Sequence, residues 1–313
     1  MSEQAAPLRE MDVPNDTVVK IISWNVEHGV KLAQACDWLA QQRPDIVLWQ
    51  EMQPGDLDKV ALRLNMLGYA AAEPPAVREV AEGMLPGASR NANAILLRKN
   101  GPFVVQDQFD HSWMPWHPAA NITVKMREER SGALSQKSLA LVSHHLCYFS
   151  AAVQRVEADW FSTFANKGLL TVIGMDRNSF EPGQGPDWDE FERTDAQADV
   201  VFRLNRTFDT GDGTRVTNDY PVRVLNQLRY IDVCHFAADK LGMNDAAGIT
   251  AGWGKPHQYG SRRIDGITVS PSLAALTISA WVADTEELRR TSDHLPTVWT
   301  VSKPVLWLEM NAN

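Results

Sequence analysis

Acidic, amide and imidazole side chains recur in this chain where apolar runs stop. Asn25 follows "IISW", Glu51 follows "DIVLWQ", His144 and His145 follow "LALVS", and Asp176 and Asn178 follow "LLTVIGM". Asp265 sits inside "RRIDGITVS", and Asp293-His294 precede "LPTVW". A charge left unpaired beside a buried strand is costly, so several at such places are expected to meet each other, a cation or a ligand. Carboxylate and amide oxygens suit a hard cation, and a histidine whose second nitrogen is fixed by a carboxylate can accept a proton or carry charge.

Each position also has an ordinary structural reading. Asn25 can cap a turn, Asp176 and Asn178 can close an Asx-turn, and Ser-Asp-His-Leu-Pro can simply lead into a strand. Glu51 can be a solvated carboxylate, and Asp265 can pair with Arg262 or Arg263. His144 and His145 alternate across a strand, so one packs while the other faces the site. The joint occurrence favours one shared site over separate accidents.

Apolar runs able to carry these groups alternate between strand and helix character. Strands are expected at 17–26, 45–52, 92–99, 103–109, 121–126, 138–146, 169–176, 262–270, 276–284 and 295–302. Helices are expected at 31–42, 56–68, 151–168, near 195–205 and at 223–241. The mixture predicts an α/β protein with helices outside a sheet core. At 313 residues, without repeats or a long Gly/Ser linker, one large domain over 17–302 is expected. It is flanked by a flexible arm over 1–16 and a tail over 303–313.

Net charge −9 opposes broad capture of polyanions but leaves room for a local basic groove. The arginines at 203, 206, 215, 223 and 229 form a candidate phosphate track. Three distant cysteines match neither a zinc site nor a disulfide scaffold and fit a reducing cytoplasm. No apolar run is long enough for a membrane span, and the first residues lack a secretory pattern.

The ordered set "SWNV", "WQE", "SHHL", "GMDRNS", "RIDGITVS" and "SDHLP" resembles the endonuclease/exonuclease/phosphatase superfamily, the deoxyribonuclease I-like proteins, over about residues 17–302. The resemblance implies a four-layer sandwich: two mixed β-sheets packed face to face, helices outside, and the site at one end. It implies a divalent-metal-dependent phosphoesterase using Mg2+, with Mn2+ as an alternative, held by Glu51 with Asn25 and Asp293. Asp176 and Asn178 match the pair that orients water and contacts phosphate. His294 matches the catalytic histidine, Asp265 its aspartate, and His145 a further phosphate-contacting histidine. Asn93, in "NANAILLR", matches an asparagine expected to line the cleft.

Two departures bear on the turn and the substrate. The usual Gly-Asp-x-Asn is Gly-Met-Asp-Arg-Asn here, moving Gly174 one residue from Asp176. His145 stands where abasic-site endonucleases usually have an aromatic residue, which disfavours abasic-site repair. Trp113, Trp116 and His117 mark a loop able to stack on a base or sugar or cover a lipid face, or simply to pack. The expected activity is a phosphodiesterase of nuclease type, with nucleic acid as a candidate partner. The alternatives are an enzyme acting on a small metabolite or phospholipid headgroup, and a binding protein without turnover on the same fold. The 180–260 segment, lying between catalytic motifs, is the expected specificity element.

Overall fold

The computed structural model describes residues 17–53, 55–71, 91–114, 116–194 and 199–312, except the side chains of residues 192 and 194. The expected arm at 1–16 lies outside the described residues. In chain order the strands are β1 Val18–Asn25, β2 Ile46–Met52, β3 Met66–Ala70, β4 Ala92–Arg98, β5 Phe103–Phe109, β6 Ala120–Met126 and β7 Leu139–His145. They continue with β8 Leu170–Asp176, β9 Thr207–Asp209, β10 Arg215–Thr217, β11 Ile231–Asp232, β12 Asp265–Val269, β13 Thr277–Val282 and β14 Thr297–Ser302.

Twelve of these strands form two six-stranded sheets, ordered β13-β14-β1-β2-β4-β3 and β11-β12-β8-β7-β6-β5. Both are mixed, because β1–β2 and β7–β8 are parallel while their other neighbours are antiparallel. Ile21, Leu48, Ile95 and Trp299 of the first sheet meet Ile122, Leu141, Val172 and Ile267 of the second in one core. Alternate residues of the same strands point outward and are covered as well. Ile22, Trp24 and Val47 pack with residues of α1 (Leu32–Gln42) and α2 (Leu57–Leu64). Val142 and Ile173 pack with Phe161 and with Phe164 of α4 (Ser162–Asn166), which follows α3 (Ala151–Trp160). Burial on both faces explains why these strands read as continuous apolar runs. The architecture is the expected four-layer sandwich.

Differences from expectation have local causes. The helix expected to Gly68 stops at Leu64, where Asn65 turns left-handed with φ 52°, and Met66–Ala70 then pairs with β4. Gly68 is needed inside that strand, since a Cβ there would lie 2.7 Å from Leu57 Cδ1. In the 180–260 segment the helices are α5 Trp188–Thr194, α6 Val200–Arg206, α7 Tyr220–Gln227 and α8 Val233–Leu241. The continuous helix expected at 223–241 is broken at Arg229, φ 65°, and by β11. Beyond α9 (Pro271–Ala274) and α10 (Glu286–Thr291), the residues set aside as a tail include α11, Lys303–Glu309. Leu306 of that helix and Met310 just after it are buried in the core.

Strand direction brings the polar ends together. β1 and β2 run in parallel, as do β7 and β8, so Asn25, Gln50, His145 and Asp176 lie toward one end of the sandwich. Antiparallel β12 begins there, with Asp265 opposite Asp176, and β14 begins opposite Ser23. Behind this edge the sheets are pinned by Gln50, whose Nε2 donates to Ser143 Oγ at 3.0 Å and to the Gly174 carbonyl at 3.3 Å. Among the described residues no helix is long and apolar enough to cross a membrane, and all three cysteines are buried and free.

Candidate active site

Asp176 is the hub. Its Oδ1 accepts from the Asn178 backbone N–H at 2.9 Å, and its Oδ2 accepts from Asn25 Nδ2 at 3.1 Å. The same Oδ2 lies 3.4 Å from His145 Nε2 and 3.8 Å from His294 Nε2. Asn178 reaches its place through left-handed backbone, φ 48°, which asparagine tolerates. The Asx-turn is therefore present, and the same carboxylate faces three other site residues.

Glu51 enters by a different device. The β2–β4 register shifts between Trp49 and Met52, and Glu51 has φ 63°, a bulge that re-aims its side chain. Its Oε1 accepts from Asn25 Nδ2 at 3.1 Å, and its Oε2 lies 3.0 Å from His28 Nδ1. Burial would raise this carboxyl's pKa, but the His28 hydrogen bond and the charges of His145 and His294 reverse that and hold it well below the usual carboxylate range. In return, the bond to Glu51 pushes His28 up to about 9.

His294 Nδ1 lies 3.0 and 2.9 Å from Asp265 Oδ1 and Oδ2, so this carboxylate takes the histidine rather than a neighbouring arginine. Arg263 pairs instead with Asp232 at 2.9 Å. Thr250 Oγ1 accepts from the Asp265 backbone N–H at 3.0 Å. Trp24 Nε1 donates to the His294 carbonyl at 2.9 Å. Burial opposes a charged imidazole, but Asp265, Asp176 and Asp293 outweigh it and hold His294 up at about 10. Asp293 Oδ2 pairs with Lys255 at 2.8 Å, and Asp293 Oδ1 lies 3.8 Å from His294 Nε2.

A cleft of about 800 Å3 opens onto these groups, lined by Glu51, His145, Asp176, Asn178, Asp293 and His294 among others. Asn25 lies just beneath them. Asn93 does not line the cleft as expected. It is fully buried, and its Nδ2 donates to the carbonyls of His117 and Pro118 at 3.3 and 2.9 Å, shaping the loop that carries Trp116. Trp116 and His117 line the cleft while Trp113 does not. His117 stacks on His145 with ring centroids 5.3 Å apart. His144 points the other way, buried against Trp160 and Phe161, and burial pushes it down to about 3.

The family model described as "Endonuclease/Exonuclease/phosphatase family" matches residues 22–214. This chain belongs to the endonuclease/exonuclease/phosphatase family. Its fold is similar to that of the Leishmania major AP endonuclease LMAP, with TM-score 0.59 and 13% identity over 96% of this chain and 92% of that one. It is similar to D. rerio TDP2 complexed with a single strand DNA product, with TM-score 0.57 and 16% identity over 91% and 99%. The human Nocturnin catalytic domain with bound sulfate gives TM-score 0.53 and 14% identity over 91% and 94%. A search of curated proteins found no match.

Within this family member the shifted glycine has a packing reason. A Cβ on Gly174 would lie 2.5 Å from Leu48 Cδ1 and 2.7 Å from Ser23 Oγ of the facing sheet. Of the proposed arginine track, Arg206 lines the cleft. Arg203 pairs with Asp189, Arg223 with Asp219, and Arg215 binds Thr207 and the Leu204 carbonyl. Sequence reasoning missed His28, Lys255 and Arg262 as cleft residues. "NVEHG" placed His28 three residues after Asn25, but the left-handed turn at Glu27 and His28 is not legible from residue types.

The donors fit a hard divalent cation. Glu51 and Asp176 present carboxylate oxygens on the Asn25 amide, and Asp293 is close enough to feel Coulomb repulsion from Glu51. Asp176, Asp265 and His294 also bring one donor atom each within 4.8 Å of one another. His294 Nδ1 is hydrogen-bonded to Asp265, so that trio contains a hydrogen-bonded dyad beside Asp176.

Proposed function

We propose that this protein is a divalent-metal-dependent phosphodiesterase of nuclease type, hydrolysing a phosphate ester by in-line attack of water. The observation that carries this reading is the convergence of Glu51, Asp176, Asn178, His145 and the His294–Asp265 pair on one cleft. Glu51, Asn25 and Asp293 would hold Mg2+, with Mn2+ as an alternative. The ion would neutralise nonbridging oxygens and the leaving oxygen.

The chain's own groups divide the remaining work. His294, held cationic, turns Nε2–H toward the phosphate, and Asp176 is the carboxylate placed to take the proton of the attacking water. Asn178 donates one amide hydrogen to the Leu146 carbonyl at 3.0 Å, leaving the other for a phosphate oxygen. His145 contacts a further oxygen. A second reading, a small phosphorylated metabolite or headgroup as substrate, is favoured by the arginines at 203, 215 and 223 being engaged away from the cleft.

Turnover of a single-stranded oligonucleotide and of an aryl phosphodiester, with Mg2+ and with chelator, tests the reading. Activity should vanish in chelator, return with Mg2+, and fall about a hundredfold or more in Glu51→Gln, within the scale of lost ligand and charge-stabilising groups. Full activity in chelator would sink the metal assignment, and hydrolysis of the aryl diester alone would favour the small-substrate reading.

A further inference from the structure

We infer that the cleft contains a second anion subsite, formed by Arg206 and Arg262, which receives a further phosphate of the substrate beside the one that reacts. This rests on the proposed phosphodiesterase reading and names a feature its substrate must have.

Among the described residues, four deeply set guanidinium groups lie near the catalytic strands: Arg177, Arg206, Arg262 and Arg263. Two are neutralised: Arg177 pairs with Glu181 at 2.8 Å, and Arg263 pairs with Asp232 at 2.9 Å. The two that line the cleft are not. Among the described residues, Arg206 donates to the Tyr148 carbonyl at 2.7 Å and to Asn178 Oδ1 at 2.6 Å. Arg262 donates to the carbonyls of Gln258 and Gly260 at 3.2 and 3.0 Å. Every one of these acceptors is neutral, and Nε of both arginines is buried without a hydrogen-bond partner. Arg206 is only 6% exposed.

Both charges also press on each other. Their guanidinium carbons lie 5.0 and 4.8 Å from the centroid of one ring, Phe202, so they are at most the sum of those distances apart. Burial, then Arg262, push Arg206 down to about 10. The ring offsets part of this cost, but it supplies no anion. Two cations with neutral acceptors in one cleft are an arrangement that an anionic ligand completes, and guanidinium forks match phosphate oxygens. Asp176 attracts both groups, and Asp265 and Asp293 also attract Arg262, but none of these carboxylates forms an ion pair with either guanidinium.

The subsite is wired to the reacting groups. Arg206 holds Asn178 directly, and Ala251 bridges both Arg262 and His294 in backbone pairing. A phosphate seated there would lie beside the reacting centre, with Trp116 and Tyr148 lining the same cleft. Its source is either the neighbouring phosphate of a strand or a second phosphate on a small molecule.

Calorimetry with the full chain in Mg2+ tests this without requiring turnover. Thymidine 3′,5′-bisphosphate should bind about tenfold or more tighter than either thymidine monophosphate, the scale of one added charge-assisted pair. In Arg262→Met and in Arg206→Lys, with melting curves confirming folded protein, that ratio should collapse. A merely structural role would weaken all ligands in parallel and leave the ratio intact. Equal binding by wild type, or a ratio that survives both variants, overturns the subsite, whereas loss of turnover with the ratio intact in wild type would overturn the phosphodiesterase reading alone. Displacement of the bisphosphate by a short single strand supports the subsite with a strand as its source. Failure of that displacement supports it with a small molecule.

Discussion

His294 has its two nitrogens in different environments: Nδ1 faces both oxygens of Asp265, and Nε2 lies 3.8 Å from both Asp176 and Asp293. Asp265 therefore orients the ring and favours its charged form. Asp265→Asn should lower turnover about tenfold or more, and His294→Ala further, with the double mutant no worse than His294→Ala alone. Steady-state rates beside thermal melts check this, and fully additive losses would remove the dyad. Glu157 is a buried acid outside that chemistry, with Oε2 accepting from the Cys147 backbone N–H at 2.7 Å and Oε1 unpartnered. Burial pushes its carboxyl up to about 8 from 4.5. The folded state then keeps a proton that the unfolded state releases, so stability is highest below the unfolded value and falls as pH climbs through about 8. Between those limits the wild-type melting temperature should drop by about 2 °C or more beyond that of Glu157→Gln. Identical pH profiles would refute a protonated Glu157. Residue types pointed to the polar groups at strand ends because charge beside an apolar run is conspicuous. They placed Arg206 in a track of five arginines without singling it out, and offered Arg262 only as a partner for Asp265, because the meaning of both depends on which carboxylates stay away from them. They misplaced Asn93, whose neighbours in sequence do not disclose that its amide faces a loop.

At the scale of elements, the strands that carry the site were legible because both of their faces are buried, which leaves unbroken apolar runs with polar residues only at their ends. Helix limits were less so. "DLDKVALRLNMLG" keeps helical spacing past its true end, and the stop depends on Asn65 turning left-handed so that Met66–Ala70 can pair with β4. The break at Arg229 was hidden because no glycine or proline marks it. One element-level consequence lies at Gly174, opposite Ile267 on β12 and against the other sheet. Leu48 and Ser23, its close neighbours there, are themselves fully buried and cannot swing into solvent. Gly174→Ala should therefore cost about 1–3 kcal/mol, as overpacked cores do. Denaturant titration should show a lower midpoint with an unchanged slope, and an unchanged midpoint would mean the sheets can separate freely at this level.

For the molecule as a whole, a net charge of −9 coexists with cationic groups gathered inside one cleft. Lys255 is paired with Asp293 and His28 with Glu51, so among the described residues the cationic groups left for a substrate's extra phosphates are chiefly Arg206 and Arg262. The outlying arginines at 203 and 223 are paired with aspartates and do not extend a track across the surface. This distribution makes a quantitative forecast for binding of a single strand. Each neutralised phosphate contributes about −0.7 to the slope of log affinity against log salt, so two contacts give about −1.4. Between about 50 and 200 mM salt the KM for an oligonucleotide should then rise by less than about tenfold. The aryl diester, which lacks the second phosphate, should change less over the same range. A rise of about a hundredfold would require several more phosphate contacts than this cleft supplies, and would move the nucleic-acid path onto a surface outside it. Removing Arg262 should flatten the oligonucleotide slope toward that of the diester, because the salt dependence reports the same phosphate contact that the guanidinium makes.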